Sequence, residues 1–419
     1  MNIHLWTRFC ILSAALCLMA ALIIPVSGAH AEETWGREKA FFHAYFAGEI
    51  RDHKAAIAES LLKLAPPAKL DEIRSLYSGA LGDLKDAIGR DGAYDLIFAK
   101  GKAPARIRIG PDGKIDMLWF GQWSLFTDDP STLAAEFSKL PGRVSVTVRR
   151  DDRENLISIG SDMPLAVGST FKLYVLKAFT QAVAAGKLQP DSIVRLLPEW
   201  QSLPTGITQD WPAGTPVTLA TLANLMISIS DNTATDHLIH ALGRETVEAA
   251  APERMRPFLT TFDMFRLKYS DDTARAERFA KADPTTRRAM LAELGTAPVS
   301  LADIRTGPFH VDTIEWHATT DELCRVLYEL RDHPAVGINP GLVRKNQWHR
   351  IAFKGGSEPG VLNYTISLQK TQASPTFVLS ATINDTAHEV NTASFTELVT
   401  RLICLIEDGR LASGSARTP

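Results

Sequence analysis

The chain has 419 residues, of which 45% are hydrophobic and 22% are charged, and its formal net charge is −3. This length exceeds that of one ordinary domain, so we expect two domains, each with its own core. Proteins that bind nucleic acid or anionic membranes usually carry an excess of Lys and Arg. The 45 Lys and Arg against 48 Asp and Glu show no such excess. We therefore expect no nucleic-acid partner.

The N-terminus has the pattern of a secretory signal peptide over residues 1–31. Arg8 supplies a positive charge, Phe9 to Val26 is an uncharged apolar run, and Ala29-His30-Ala31 fits the small-x-small cleavage rule. A retained membrane anchor is the alternative, but Pro25 interrupts the run and a cleavage-like site follows at once. The sequence thus predicts an exported protein, periplasmic or secreted, with no integral membrane segment after signal removal.

Residues 32–125 have the pattern of a small α+β domain. The predicted elements are helices over 36–47 and 69–88, then strands over 93–98, 105–109 and 115–120. Gly110-Pro111-Asp112-Gly113 is typical turn chemistry between the last two strands. The order resembles cystatin-like or NTF2-like cone-shaped domains. Such a domain either holds a ligand in an apolar pocket or serves only for packing or dimerisation, and the sequence leaves both open.

The rest of the chain predicts a second α+β domain over 144–408, after a linker and first helix at 126–143 and before a flexible tail at 409–419. Its predicted strands cover 144–148, 156–159, 350–353, 361–368 and 376–383. A long helical region separates the second strand from the third, and an amphipathic helix closes the domain with Gly409 as its C-cap. The outer pieces predict a five-stranded antiparallel sheet covered by the terminal helices. The middle forms a helical lobe, with the functional site between lobe and sheet.

Three short motifs follow one another in this domain. They are Ser169-Thr170-Phe171-Lys172, Ser230-Asp231-Asn232 and Lys354-Gly355-Gly356-Ser357. Residues i and i+3 of a helix share a face, so Lys172 is placed to reach Ser169 Oγ. A lysine can act as a base only when burial or a neighbouring cation lowers its pKa, and Lys354 is a candidate for that cation. The ordered triple predicts a serine nucleophile activated by a lysine.

The remaining motif residues have candidate roles around that nucleophile. Ser230, between two lysines, is a candidate to relay a proton to the leaving atom, and the Asn232 amide to hold a substrate carbonyl or amide. Gly356 and Ser357 are candidate substrate-binding residues. The backbone N–H groups of Ser169 and Ser357 would form an oxyanion hole, which contributes about 3–4 kcal/mol in other hydrolases. Each motif alone also has a structural interpretation, as a helix N-cap or a turn.

With these motifs in place, residues 144 to 408 resemble the class A β-lactamase-like serine hydrolases. The resemblance rests on Pro164 to Lys172, on Met226 to Ala234 and on the third motif at the end of a strand. It implies a β-lactamase/transpeptidase-like fold. It also implies Ser169 as nucleophile, Lys172 as base, Ser230 as proton shuttle, Asn232 as substrate ligand and Lys354 as the electrostatic element.

The sequence departs from that family where the acyl-enzyme would be hydrolysed. Class A enzymes carry an E-x-x-L-N loop whose glutamate activates water, but the corresponding residues 256–268 contain no glutamate. They predict instead a helix with Thr260 or Thr261 as N-cap and Asp263 in its first turn. Asp263 and Glu315 are the remaining candidates for the deacylation base. Further on, Asp283-Pro284 starts one helix, and Thr319 with Glu322 forms a capping box for the next.

Two further departures concern the binding of a β-lactam carboxylate. Gly355 stands where the family usually has a hydroxyl residue, and Asn363 stands where many class A enzymes have an arginine. Each lost contact is worth about 1–3 kcal/mol. The sequence therefore predicts acylation of Ser169 together with poor hydrolysis of antibiotics.

The sequence thus predicts a serine hydrolase acylated on Ser169 by a β-lactam, an ester or a peptidoglycan-like substrate, with weak β-lactamase or esterase activity. The alternative is a penicillin-binding or sensor protein that stays acylated, and a non-catalytic interaction protein is the third interpretation. We expect no metal or cofactor, because the eleven histidines, His240, His317 and His349 among them, show no ligand spacing. Cys324 and Cys404 are expected as buried free thiols, with a disulfide as the alternative.

Overall fold

The structure is a computed structural model that describes residues 28–270, 272–295 and 307–411. The predicted signal peptide lies outside these residues up to position 27, as does the predicted tail from residue 412. The chain divides into two compact units, one ending at Gly121 and the other beginning at Gln122. No described helix combines the length and the apolar character that a membrane crossing requires.

The first unit packs helices on an antiparallel sheet to which it contributes strands in the order β1-β2-β3-β4. Its elements are α1 (Gly28–Ala47), α2 (His53–Ala56), α3 (Glu59–Leu64), α4 (Pro67–Leu81), β1 (Leu84–Arg90), β2 (Ala93–Phe98), β3 (Gly101–Ile109) and β4 (Ile115–Phe120). The core is rich in aromatic rings, and Tyr45 stacks on Phe120 with ring centroids 5.6 Å apart. The likeness to cystatin-like or NTF2-like domains stays a prediction.

One predicted element of this unit is wrong. The sequence predicted a helix over 69–88, but α4 ends at Leu81, and residues from Leu84 form strand β1. Gly82 stops the helix with a φ of 75°, a conformation that a side chain disfavours. β1 then pairs with β2, and only Ala87 among its residues is buried. Apolar and polar residues therefore hardly alternate along this strand, and its sequence gives almost no strand signal.

The second unit begins with a sheet-and-helix layer. Its sheet has the order β12-β13-β14-β6-β7, and every neighbouring pair is antiparallel. The unit starts with the short strand β5 (Ser124–Leu125), which is not part of this sheet. The elements of the layer are α5 (Pro130–Phe137), β6 (Arg143–Arg150), β7 (Glu154–Ile159), β12 (Arg350–Glu358), β13 (Val361–Gln369), β14 (Thr376–Asn384) and α14 (Thr392–Glu407). The predicted five-stranded antiparallel sheet is confirmed, with the terminal helices α5 and α14 packed on it through one apolar cluster.

The predicted helical lobe is also present, between β7 and β12. Its elements are β8 (Leu165–Ala166), α6 (Lys172–Ala184), β9 (Ile193–Arg195), β10 (Pro216–Thr218), α7 (Leu219–Ser228), α8 (Asn232–Leu242), α9 (Arg244–Ala250), α10 (Thr261–Tyr269), α11 (Thr273–Lys281), α12 (Pro284–Ala292), β11 (His317–Ala318) and α13 (Thr320–Leu330). Short 3₁₀ turns lie at 168–171, 198–200, 208–210, 253–255, 334–337 and 345–347. A second apolar cluster, larger than the first, holds the lobe together.

The predicted helix boundaries in the lobe rest on side-chain caps. Thr260 caps α10 in a reciprocal capping box with Asp263, and Thr319 caps α13 in the same way with Glu322. Asp283 caps α12, which begins with Pro284. We call residues 261–318 the insert, because they join these two capping boxes. Cys324 and Cys404 form no disulfide in the described part of the chain. Cys324 is buried as predicted, which raises the pKa of its thiol, whereas Cys404 is only partly buried.

Candidate active site

The serine motif lies in a tight turn pressed against strand β12. Residues Gly168–Phe171 form one 3₁₀ turn, and Lys172 begins α6. A Cβ on Gly356 would come within 2.1 Å of Val167 O and 2.6 Å of Ser169 N, so only glycine fits there. Gly168 has a φ of 47°, and a Cβ on it would lie 3.0 Å from Ser357 N. The backbones of Ser169 and Ser357, the predicted oxyanion-hole residues, are thus adjacent, and Ser357 is exposed.

Lys172 is fully buried, and its amine is held by the second motif. Nζ donates to Ser230 O at 2.7 Å, to Ser230 Oγ at 3.1 Å and to Asn232 Oδ1 at 2.6 Å. Among the described residues, no hydrogen bond joins Lys172 to Ser169, although helical spacing predicted that they could meet. The three acceptors on Ser230 and Asn232 already use the donors of the charged amine. The structure therefore brings Lys172 to the second motif rather than directly to the serine hydroxyl.

Lys354 approaches the same serine from the sheet side. Its Nζ donates to Ser230 Oγ at 3.1 Å and to Gly355 O at 2.5 Å. Ser230 Oγ therefore lies between two buried amines, one from α6 and one from β12. Ser230 adopts a φ of 59°, which is uncommon for a residue other than glycine. This backbone conformation accompanies a carbonyl that accepts from both Lys172 and Thr205.

Burial sets the electrostatics of the two amines. Burial, and then the nearby charge of Lys354, hold the pKa of Lys172 well below its ordinary value. Burial alone lowers the pKa of Lys354 to about 7. Neither amine forms an ion pair with a carboxylate in the described part of the chain. A lysine in such a setting can lose its proton near neutral pH and accept one from a hydroxyl.

The aspartate of the second motif has a structural task. Asp231 is fully buried and caps α8 by accepting from Ala234 N. Its carboxylate also accepts from the backbone N–H groups of Ile207 and Thr208 and from Thr208 Oγ1. The helix-cap interpretation of this motif therefore holds for Asp231. Ser230 and Asn232 on either side of it are the residues that contact Lys172.

The loop that lacks the glutamate keeps part of the family pattern. Arg256 and Pro257 are joined by a cis peptide bond. Aligned on E-x-x-L-N, Arg256 takes the glutamate position, Leu259 the leucine position and Thr260 the asparagine position. Asp263 accepts from Arg244 at 3.0 Å and from Thr260 N at 3.0 Å, so it serves the capping box. The other candidate base, Glu315, is ion-paired with Lys268 at 2.8 Å.

Asn363 and Gly355, the two positions that the sequence linked to carboxylate binding, have different surroundings. Asn363 is fully buried beneath the serine turn, where its Oδ1 accepts from Thr170 Oγ1 at 2.8 Å. Its Nδ2 donates to Ala381 O and Thr382 Oγ1. Asn363 therefore supports the turn from below, a role that the sequence did not suggest. At Gly355, a Cβ would meet the Phe353 ring at 3.0 Å.

The described residues contain no cluster of three His, Cys, Asp or Glu side chains that could hold a metal ion. His317 Nε2 donates to Val311 O at 3.0 Å, and burial lowers the pKa of this histidine. Burial likewise lowers the pKa of His240, whose ring stacks on Trp200. These contacts belong to packing in the helical lobe.

Comparison with known proteins agrees with this arrangement. Residues 130–292 match the model of a β-lactamase enzyme family. That match, the sheet order and the serine turn beside β12 decide the architecture. The second unit has a β-lactamase/transpeptidase-like fold. The match also supports a place for this unit in the β-lactamase-like superfamily.

Several solved structures are similar to the chain at low identity. A β-lactamase from Sphaerobacter thermophilus is 20% identical with a TM-score of 0.46, covering 67% of this chain and 98% of its own. A protein described as PBP-A is 17% identical with a TM-score of 0.43, covering 68% and 96%. An ancestral class A β-lactamase is 16% identical with a TM-score of 0.46, covering 66% and 99%. No curated protein sequence matches the chain significantly.

Proposed function

We propose that the second unit is a serine hydrolase that is acylated on Ser169 by a small β-lactam, ester or peptidoglycan-like substrate. The observation that carries this proposal is the position of Ser230 Oγ, 3.1 Å from each of two buried lysine amines. Such a pair of amines serves a reaction that moves protons at a hydroxyl. We also propose export of the chain, with a cystatin-like first domain.

Acylation uses the three motifs in sequence. Neutral Lys172 has one donor fewer than the charged amine, so it releases one contact with the second motif and turns its lone pair to the Ser169 hydroxyl. It then accepts the proton of Ser169, and Ser169 Oγ bonds to the substrate carbonyl carbon. The backbone N–H groups of Ser169 and Ser357 stabilise the negative oxygen that forms. When the carbon–nitrogen or carbon–oxygen bond breaks, Ser230 Oγ gives its proton to the leaving atom and regains one from a lysine. Asn232 and the third motif, including Gly356, hold the substrate, and Lys354 supplies positive charge.

Release of the acyl group requires a base other than the glutamate of the family loop. Arg256 replaces the glutamate of the family loop, while Asp263 and Glu315 are engaged in ion pairs. We propose that Lys172 activates water as it activates Ser169, which gives slow turnover. The same observation favours a second candidate, a penicillin-binding or sensor protein in which the acyl-enzyme persists.

One experiment separates these functions. Purified protein is incubated with a chromogenic cephalosporin or a short-chain p-nitrophenyl ester, and intact mass and product release are followed together. Turnover that disappears in Ser169→Ala indicates the hydrolase, and a lasting adduct without turnover indicates the sensor. Ser161→Ala, a half-buried serine outside the three motifs, should behave as wild type. Protein that gives neither adduct nor product with both compounds refutes acylation and leaves the non-catalytic interpretation.

A further inference from the structure

Strand β12 carries the predicted oxyanion-hole residue Ser357 at the edge of the sheet. Among the described strands β13 alone pairs with it, so hydrogen bonds of the sheet fix it from one side. Glu358 follows Ser357 and is the last residue of the strand. Because side chains alternate along a strand, Glu358 lies on the same face as Lys354 and Gly356, the face against the serine turn. An anchor on Glu358 therefore acts directly on the backbone of Ser357.

That anchor exists in the form of a buried charge cluster. Lys268 Nζ, from α10 in the insert, donates to Glu315 Oε1 at 2.8 Å and also to Glu358 Oε1. The Lys268 and Glu315 side chains are completely buried, and that of Glu358 is 11% exposed. One cation thus binds two carboxylates from different parts of the chain. Breaking such a buried group is costly, because the partner left behind has no water to replace the contact.

A retained proton completes the charge balance of the cluster. Burial and then the nearby Glu315 carboxylate hold the pKa of Glu358 well above its ordinary value. Burial opposes the charge on Lys268, but the two glutamates outweigh it and raise the pKa of that amine. Glu315 Oε2 is buried and has no hydrogen-bond partner among the described residues. A proton kept by Glu358 supplies that missing donor and leaves the cluster neutral.

The residue after Glu315 contacts the other side of the same site. The Trp316 ring stacks on Phe171 of the serine motif, with centroids 3.7 Å apart and an interplanar angle of 15°. Trp316 O accepts from Val167 N at 3.0 Å, two residues before Ser169. The dipeptide Glu315-Trp316 therefore links the serine turn, through Trp316, to the end of β12, through Glu315, Lys268 and Glu358.

We propose that Lys268, Glu315 and Glu358 form a positioning cluster that fixes the Ser357 N–H relative to the Ser169 N–H. The inference rests on the proposed acylation of Ser169. Oxyanion donors stabilise the transition state only at the right place, and a misplacement of about 1 Å can cost about 100-fold in rate. The insert thereby contributes to the reaction without supplying a group that touches the substrate.

The test uses Glu358→Ala, which removes the anchor but leaves Lys268 paired with Glu315. We expect its rate constant for acylation by the p-nitrophenyl ester to fall about 10- to 100-fold, with the substrate concentration at half-saturation changed less than about 3-fold. Glu358→Gln should restore the rate to within about 3-fold of wild type, because an amide mimics the protonated carboxyl toward both partners. If Glu358 only stabilised the fold, we would expect neither a loss of acylation rate at nearly constant half-saturation concentration nor a recovery of the rate in Glu358→Gln.

The matched control is Asp128→Ala in a second buried cluster of the same unit. There one cation, Arg401, pairs with Asp128 and Glu136 and also with a third carboxylate, Glu397. This variant should lose stability and keep the wild-type acylation rate. If Glu358→Ala does not fold, Glu358→Asp shortens the same reach by one methylene and should show an intermediate loss of rate.

Three outcomes overturn the inference. They are wild-type acylation in a folded Glu358→Ala or Glu358→Asp, no rescue by Glu358→Gln, and an equal loss of rate in Asp128→Ala. Wild-type protein that forms no adduct refutes the proposed function itself, so the two failures are distinguishable by intact mass before any variant is compared.

Discussion

Two places in the second unit bury lysines, and they treat the charge in opposite ways. Lys172 and Lys354, 0% and 3% exposed, meet hydroxyl, amide and carbonyl oxygens, and their pKa values are lowered. Lys268, 1% exposed, meets two carboxylates, and its pKa is raised. Burial is the same in the three cases, so the partners decide the result. The first pair suits proton transfer, and the third lysine suits a permanent contact.

Lys172→Met gives the largest expected effect on activity. Removing a general base costs about 10²- to 10⁴-fold in rate, and we expect that loss in acylation of Ser169 by the p-nitrophenyl ester. The free energy of unfolding should change by less than about 2 kcal/mol, because Thr205 still donates to Ser230 O and the new side chain carries no charge to desolvate. Stopped-flow acylation and urea unfolding measure the two quantities. An acylation rate close to wild type would remove Lys172 from the mechanism.

Lys268→Met should give the largest loss of stability. It leaves Glu315 and Glu358 buried without their cation, and breaking a buried ion pair costs about 3–5 kcal/mol. Urea unfolding followed by tryptophan fluorescence measures this loss, with Lys172→Met as the matched lysine-to-methionine control. Equal stability of the two variants would contradict the distinction between the two kinds of buried lysine.

The pH dependence of stability gives a smaller effect with a definite sign. Folded protein releases the Lys354 proton near pH 7, whereas the unfolded chain keeps it up to about pH 10.5. Between these values the unfolded state binds more protons, so Lys354 makes the free energy of unfolding rise with pH. The slope reaches about 1.4 kcal/mol per pH unit.

The measurement compares wild type with Lys354→Met by urea unfolding at several pH values from 6 to 10. The stability of wild type relative to the variant should increase with pH over this window. A difference that stays constant across the window would mean that Lys354 keeps its proton in the folded protein, as Lys268 does.

Local sequence patterns predicted the elements whose signals are local. The predicted bounds of strands 93–98 and 115–120 match the observed ones. The capping box of Thr319 was predicted because its residues are only three positions apart, whereas Thr260 was one of two candidates, with Thr261, for the cap of α10. Strand β1 was not predicted from the sequence because its residues are mostly exposed. Its strand character comes from pairing with β2.

The residues of the site also fall into those that local sequence patterns predict and those that they do not. The order of the three motifs was enough to identify their residues as candidates for the site. In the structure, Lys172, Ser230, Asn232 and Lys354 lie together. The contacts of Lys268 could not be predicted, since Glu315 and Glu358 lie 47 and 90 residues away in sequence. Asn363 was interpreted as a lost substrate contact, while its hydrogen bonds place it under the serine turn. Buried side-chain pairing over such separations leaves no periodic pattern along the chain.

The two capping boxes that bound the insert have a consequence for how this protein can vary. Each box closes its own helix with local hydrogen bonds, so the chain between Thr260 and Thr319 could change in length without disturbing either flank. Lys268 limits this variation in length, because its ion pair with Glu358 fixes α10, the first helix of the insert, to the end of β12. We expect shortened versions of the insert to stay folded only when they retain α10 and Glu315-Trp316, and lengthened loops between α10 and Glu315 to be tolerated.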